Sequence, residues 1–128
     1  MKDLVKKYAK FANRNFNDNA DLDDYNQLRN QQFAAELDFF GGDFTIIEED
    51  GHEFTTQRAV WAIVTESTGA QNYDDDFNDH GADWERLRNP SKNTDVERCH
   101  FVFDLENEEE KQQYKNFLFD FFDFNLCV

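Results

Sequence analysis

The chain has 128 residues, a net charge of −15 at neutral pH and phenylalanine at 15 positions. A chain of this length makes one domain, and it buries about two-thirds of its unfolded surface without a staple. So much aromatic residue excludes a disordered acidic tail, and so much negative charge speaks against contact with nucleic acid or an anionic membrane.

The expected unit is therefore a single acidic globular domain over residues 1–128. Its charge is unevenly placed. Lys2, Lys6, Lys7, Lys10 and Arg14 face Asp3 alone in residues 1–17, which sum to +4 and leave −19 for the rest. Two cysteines, Cys99 and Cys127, do not make a disulfide framework. The N-terminal lysines precede no apolar run, so no secretory signal is expected. No stretch approaches the ~20 apolar residues that span a bilayer. A cytoplasmic location with free thiols is the expectation.

In chain order, Leu4, Val5, Tyr8, Phe11 and Ala12 recur at helical spacing and predict a helix over 3–16, with Lys2, Lys6, Lys7, Lys10 and Arg14 on its opposite face. Residues 17–21 have turn chemistry, and Asp21 is placed to cap a second helix from Leu22 to Phe40. Leu22, Tyr25, Phe33, Leu37 and Phe40 form its stripe, and Gly41-Gly42 is expected to end it. A hairpin follows: Phe44–Glu48, a two-residue Asp50-Gly51 turn, and a return strand from His52 to about Thr56. Residues 57–67 fit helix and strand alike, and helix is favoured. Residues 68–95 read as irregular, apart from a short helical turn near Asp83–Arg88. His100–Leu105 reads as a strand. A last helix spans about 107–123, with Asn107 and Glu110 as a capping-box-like start and Tyr114, Phe117, Leu118, Phe121 and Phe122 as its apolar stripe. Asp120 and Asp123 are expected to face away. The predicted fold is α+β: a small antiparallel sheet, made of the hairpin and one further strand, packed against three to four helices.

Carboxylates cluster at Asp21/Asp23/Asp24, at Glu48/Glu49/Asp50/Glu53, along Asp74/Asp75/Asp76/Asp79/Asp83/Glu85, and at Asp104/Glu106/Glu108/Glu109/Glu110. Solubility asks only for a net charge of magnitude about 2–8 in a small domain. Adaptation to high salt does not call for the abundant Phe and Asn or for the basic first segment. Duplex DNA carries a charge every ~3.4 Å along each strand, and its binders answer with Lys and Arg. A folded surface of carboxylates makes charge-assisted pairs with those same side chains.

The Asp-rich loop also nears a calcium motif. Asp74, Asp76, Asn78, His80 and Glu85 stand where the first, third, fifth, seventh and twelfth residues of an EF-hand loop would stand. Asp79 occupies the place that needs glycine, so the motif is a near miss. Cys99, His100, His52, His80 and Cys127 lack zinc spacing. Glu109-Glu110-Lys111 has the E-x-K form of some nucleases but falls in a helix start. There is no G-x-S-x-G, P-loop or dinucleotide turn. No catalytic residue, resident metal or cofactor is expected, and the chain reads as a non-enzyme.

These observations point to a small acidic inhibitor, a nucleic-acid mimic for the basic groove of a nuclease, restriction enzyme or CRISPR effector. At the level of composition it is like the compact anti-defence proteins of bacteriophages. The expected binding residues are Glu48, Glu49, Asp50 and Glu53 in the hairpin, with Tyr73, Asp74, Asp75, Asp76, Phe77, Asp79, Asp83, Trp84 and Glu85 in the loop. Aromatic side chains carry much of the energy at interfaces. An immunity-type protein that blocks one toxin or nuclease, and a calcium-responsive protein-binding module, are the alternative readings. A homodimer is compatible with all three.

Overall fold

Alternation along β-type residues decides the architecture. Phe33, Ala35 and Leu37 are buried in one cluster with Val60, Ala62 and Val64, and a period of two belongs to strands. The computed structural model describes residues 2–17, 19–30, 32–67 and 96–123. Two short helices, α1 (Lys2–Lys7) and α2 (Ala9–Ala12), lead into β1 (Asn15–Phe16), β2 (Asp21–Arg29), β3 (Phe33–Ile47), β4 (Glu53–Ser67), β5 (Val96–Asp104) and α3 (Glu108–Phe122). The strands form one antiparallel sheet with β3 at its centre. One side of β3 is paired with β4, and β1 and β2 share the other; β5 lies outside β4. Among the described residues the molecule is mostly sheet, with α3 as its one substantial helix. It is not a small hairpin sheet beneath three to four helices.

The expected helix over Leu22–Phe40 is instead β2 and most of β3, so Asp21 caps nothing and Asp23 and Asp24 sit in a strand. The segment holds good helix formers, but propensity is a weak prior against pairing along a long ladder. Asn30 makes the reversal. Its Oδ1 accepts from Gln32 N (2.7 Å) and Phe33 N (2.6 Å), an Asx-type turn that joins β2 to β3. Gly41-Gly42 does not end a helix. The β3–β4 register shifts between Gly41 and Phe44, and Gly42 takes φ 77° there. The left-handed freedom of glycine thus serves a bulge. Residues 57–67 are strand, not helix, because β4 runs unbroken from Glu53 to Ser67 between two partners. The 3–16 helix is cut short into α1, α2 and β1, with Tyr8 between the two helices.

The β3–β4 hairpin is present and longer than expected. Its turn is also one residue longer. Glu48 N donates to His52 O (2.8 Å), so the loop is Glu49-Asp50-Gly51, with Gly51 at φ 92°. This matches the three-residue loop that ends in a left-handed residue.

The final helix forms as read. Asn107 is its N-cap and accepts from Glu109 N and Glu110 N. Tyr114, Phe117, Leu118 and Phe121 bury against Phe101 and Phe103 of β5, and Tyr8 and Phe11 close the same cluster. Edge-to-face contacts fill it: Tyr8–Phe117 at 5.5 Å and Phe101–Phe117 at 4.9 Å between ring centres. Asp120 does not face away. It accepts from Tyr8 Oη (2.6 Å) and Lys7 Nζ (2.7 Å) and ties α1 to α3. A second, smaller cluster holds Phe44, Ile46, Ala59 and Val102, with Phe16, Phe40 and Trp61 packed on it.

Candidate protein-binding surface

The register of the sheet gathers carboxylates at one end. Asp21 pairs with Gly41, Gly41 with Arg58, and Arg58 O accepts from Leu105 N (3.0 Å). The start of β2, the bulge of β3, the root of β4 and the end of β5 therefore lie at one level. The exposed Arg58 reaches Asp23 across them (4.0 Å), and Gln57 Nε2 donates to Asp43 (3.2 Å). Glu106 accepts from Gln57 N and, at 2.8 Å, from Thr56 Oγ1. The first turn of α3 follows directly with Glu108 and Glu109, both exposed.

Arg14 joins the hairpin tip to this group. Its side chain is 1 % exposed, contrary to the expected outward face. Its guanidinium makes two bonds to Glu110 (2.6 and 3.0 Å) and lies 3.8 Å from Glu48. Phe11 and Phe54 flank it at 5.2 and 5.5 Å, a favourable cation–π position. Asn13 Nδ2 donates to Glu49 (3.5 Å). Burial pushes the Glu110 carboxyl up, but Arg14, the Asp104 N–H and Lys10 together hold it below the usual range. The Gln57 N–H, with the Thr56 hydroxyl, holds the Glu106 carboxyl down as well. These anions stay ionised at neutral pH.

Of the expected binding residues, Glu48, Glu49, Asp50 and Glu53 lie at the hairpin tip, where all but the half-buried Glu48 are exposed. Arg14 links Glu48 to Glu110 at the start of α3, while Asp23, Asp43 and Glu106 gather further along β4, around Thr56, Gln57 and Arg58. Tyr73, Asp74, Asp75, Asp76, Phe77, Asp79, Asp83, Trp84 and Glu85, with the calcium-like set Asp74, Asp76, Asn78, His80 and Glu85, lie outside the described residues. So does Cys127. Not every carboxylate serves the surface: Glu36, Asp38, Glu66, Asp104 and Glu110 are buried. Lys7 is held by Asp120 near the far end of α3, ~18 Å along the helix axis from Glu108.

Sequence reasoning missed a second polar site on the sheet. Trp61 Nε1 donates to His100 Nδ1 (3.2 Å), and the two rings stack at 5.5 Å. Burial, and then Arg98, hold the His100 imidazole below its ordinary range. It is therefore neutral, with its remaining proton on Nε2. Asp38 is the cross-strand neighbour of Trp61, and Tyr25 that of Asp38. The pairing of β3 was hidden by the helical reading of 22–40.

Among the described residues no group of three or more His, Cys, Asp or Glu side chains is arranged to hold a metal. Cys99 is a free thiol, pushed up by burial and then by Glu97. Cys99 and His100 alternate across β5, and His52 stands at the hairpin, so the three do not converge. No described helix is long and apolar enough to cross a membrane.

Comparison with protein-family models, curated proteins and solved structures gives no match.

Proposed function

We propose that the protein is a small acidic inhibitor that occupies the basic nucleic-acid-binding groove of a partner such as a nuclease, restriction enzyme or CRISPR effector. One observation carries this reading. Carboxylates distant in sequence, from β2, the β3 bulge, the hairpin and the start of α3, converge on one end of the sheet. Evenly dispersed charge would serve solubility equally well; a charged end is what a groove of Arg and Lys can grip. The carboxylates sit on strands and a helix start rather than on a free tail, so little ordering cost is left for binding. A bacterial host cytoplasm is the compartment in which such an inhibitor meets its target.

The test is capture of partners from a host lysate on the immobilised protein at low salt. A captured nucleic-acid-binding protein that is released by duplex DNA and by added salt supports the proposal. Reversal of Glu49, Asp50 and Glu53 to lysine should abolish the capture. A partner held equally at high salt, indifferent to DNA and to that reversal, refutes it.

A further inference from the structure

A groove of about 670 Å³ opens between the β2–β3 turn and the last turn of α3. Phe33, Phe119 and Phe122 wall it, and Asn30, Gln32 and Asp123 stand at its polar side. Phe119 lies off the buried stripe of α3 and is 54 % exposed.

The polar side is rich in acceptors. Asn30 Nδ2 is bound to Phe121 O (2.7 Å) and Gln32 Nε2 to Glu66 Oε1 (2.8 Å), which leaves Gln32 its carbonyl oxygen to offer. Asp123 is exposed, and its own N–H is taken by Phe119 O (2.8 Å). A helix end adds carbonyl groups and the negative pole of its dipole. Cations favour that pole, but the last turn of α3 has no basic residue.

The surrounding charges come from several elements. Lys7 of α1 is paired with Asp120, so Asp123 carries the remaining aspartate charge of the lining. Glu66 of β4 is buried and adds a further anion behind Gln32. Lys115 stands about one turn before Phe119 on α3, outside the groove. Arg29 pairs with Ala34 in the register, and so belongs to the face of the sheet opposite Phe33.

We propose that this groove binds an arginine side chain of a basic protein partner. A guanidinium is flat, carries five donors and no acceptor, and stacks on aromatic rings. It lies on the Phe119 ring with its donors toward Asp123 and Gln32 Oε1. A lysine ammonium lacks the plane, and an anionic ligand would meet acceptors. Asp123 is ~22 Å along the α3 axis from Glu108. The groove is therefore separate from the acidic end, and the proposal is independent of the function proposed above.

Amide NMR of the intact protein, titrated with a blocked Gly-Arg-Gly peptide, tests it. The amides of Gln32, Phe119, Phe122 and Asp123 should shift together. The same peptide with neutral citrulline in place of arginine should leave them unmoved, and a Gly-Lys-Gly peptide should bind more weakly. Phe119→Ala and Asp123→Asn should each weaken the arginine peptide about threefold. Both variants should fold, since Phe119 is exposed and asparagine also takes the left-handed backbone of a helix cap. Shifts confined to the hairpin and the start of α3 overturn the proposal. So does an equal response to citrulline or to lysine, or an affinity indifferent to both substitutions. Concentration-dependent shifts of the same amides without peptide would assign the groove to a second copy of the chain and overturn it as well.

Discussion

Arg14 and Glu110 together finish the outer edge of β5. Arg14 Nη1 donates to Val102 O (3.3 Å), and Glu110 Oε1 accepts from Asp104 N (3.0 Å). The ion pair offers that edge a donor and an acceptor, as a neighbouring strand would. It is also bidentate, which is the strong form of a carboxylate pair.

Removing one partner leaves the other charged and buried. Arg14→Met should cost about 3–5 kcal/mol, measured by urea unfolding. Arg14→Lys should recover only part of this, because an ammonium cannot bridge both oxygens in the guanidinium's fork geometry. Full stability in Arg14→Met would mean that the pair contributes nothing net.

Acid should unfold the protein through Glu110 and Asp120. Both carboxyls are held below the usual range in the folded state: burial opposes this in each, and Arg14 in one case and Lys7 with Tyr8 in the other overcome it. A depressed carboxyl stabilises above its unfolded value, about 4, and that stability is lost as pH falls through the folded value. Glu110→Gln should flatten the acid limb of a stability–pH profile. An unchanged limb would assign acid unfolding elsewhere.

The aromatic core has little slack. Phe117 is fully buried between Phe101, Phe103, Tyr8 and Phe121. Phe117→Ala should cost about 3–5 kcal/mol, and near-UV circular dichroism should show loosened rings.

Asn30 stabilises two junctions at once. Its Oδ1 forms the β2–β3 turn, and its Nδ2 donates to Phe121 O (2.7 Å) near the end of α3. Asn30→Ala should cost about 1–3 kcal/mol, since the carbonyl and amide groups lose their partners. Asn30→Asp, which keeps only the turn, should fall between. No loss in Asn30→Asp would remove the helix contact from the account, and equal loss in the two variants would remove the turn.

The lysine reversal at Glu49, Asp50 and Glu53 should leave the unfolding midpoint close to wild type, since exposed substitutions change stability by about 0.5 kcal/mol. Binding should be lost all the same. A protein that unfolds would point to a structural role for the hairpin charges.

Some of the structure was legible in single residues. Asn107 followed by three glutamates marks a helix start on its own, and the stripe from Tyr114 to Phe122 has one period only. Phe44–Glu48 and Asp50-Gly51 mark the hairpin, although not its length. The segment from Leu22 to Phe40 misled because Leu22, Tyr25, Phe33, Leu37 and Phe40 fit a helical face while Phe33, Ala35, Leu37 and Phe39 fit a strand. Only pairing partners distant in sequence choose between them, and local spacing does not contain those. Asn30, with its Asx chemistry, was the signal available. The hairpin carboxylates were legible as a cluster. The gathering of Asp23, Asp43 and Glu106 around Thr56, Gln57 and Arg58 was not, because it depends on the β2–β3–β4 register. Arg14 was read by helical phase as an exposed cation, but the helix ends before it and the side chain turns inward.

The margins of the sheet bear on how the protein behaves when crowded. On the β5 side, Arg14 and Glu110 occupy the backbone groups of Val102 and Asp104 that another strand would seek. On the β2 side, where β3 is the one partner among the described residues, a slip in register near Leu22 and the aspartates at 21, 23 and 24 meet any incoming strand. Irregular, like-charged margins discourage edge-to-edge stacking.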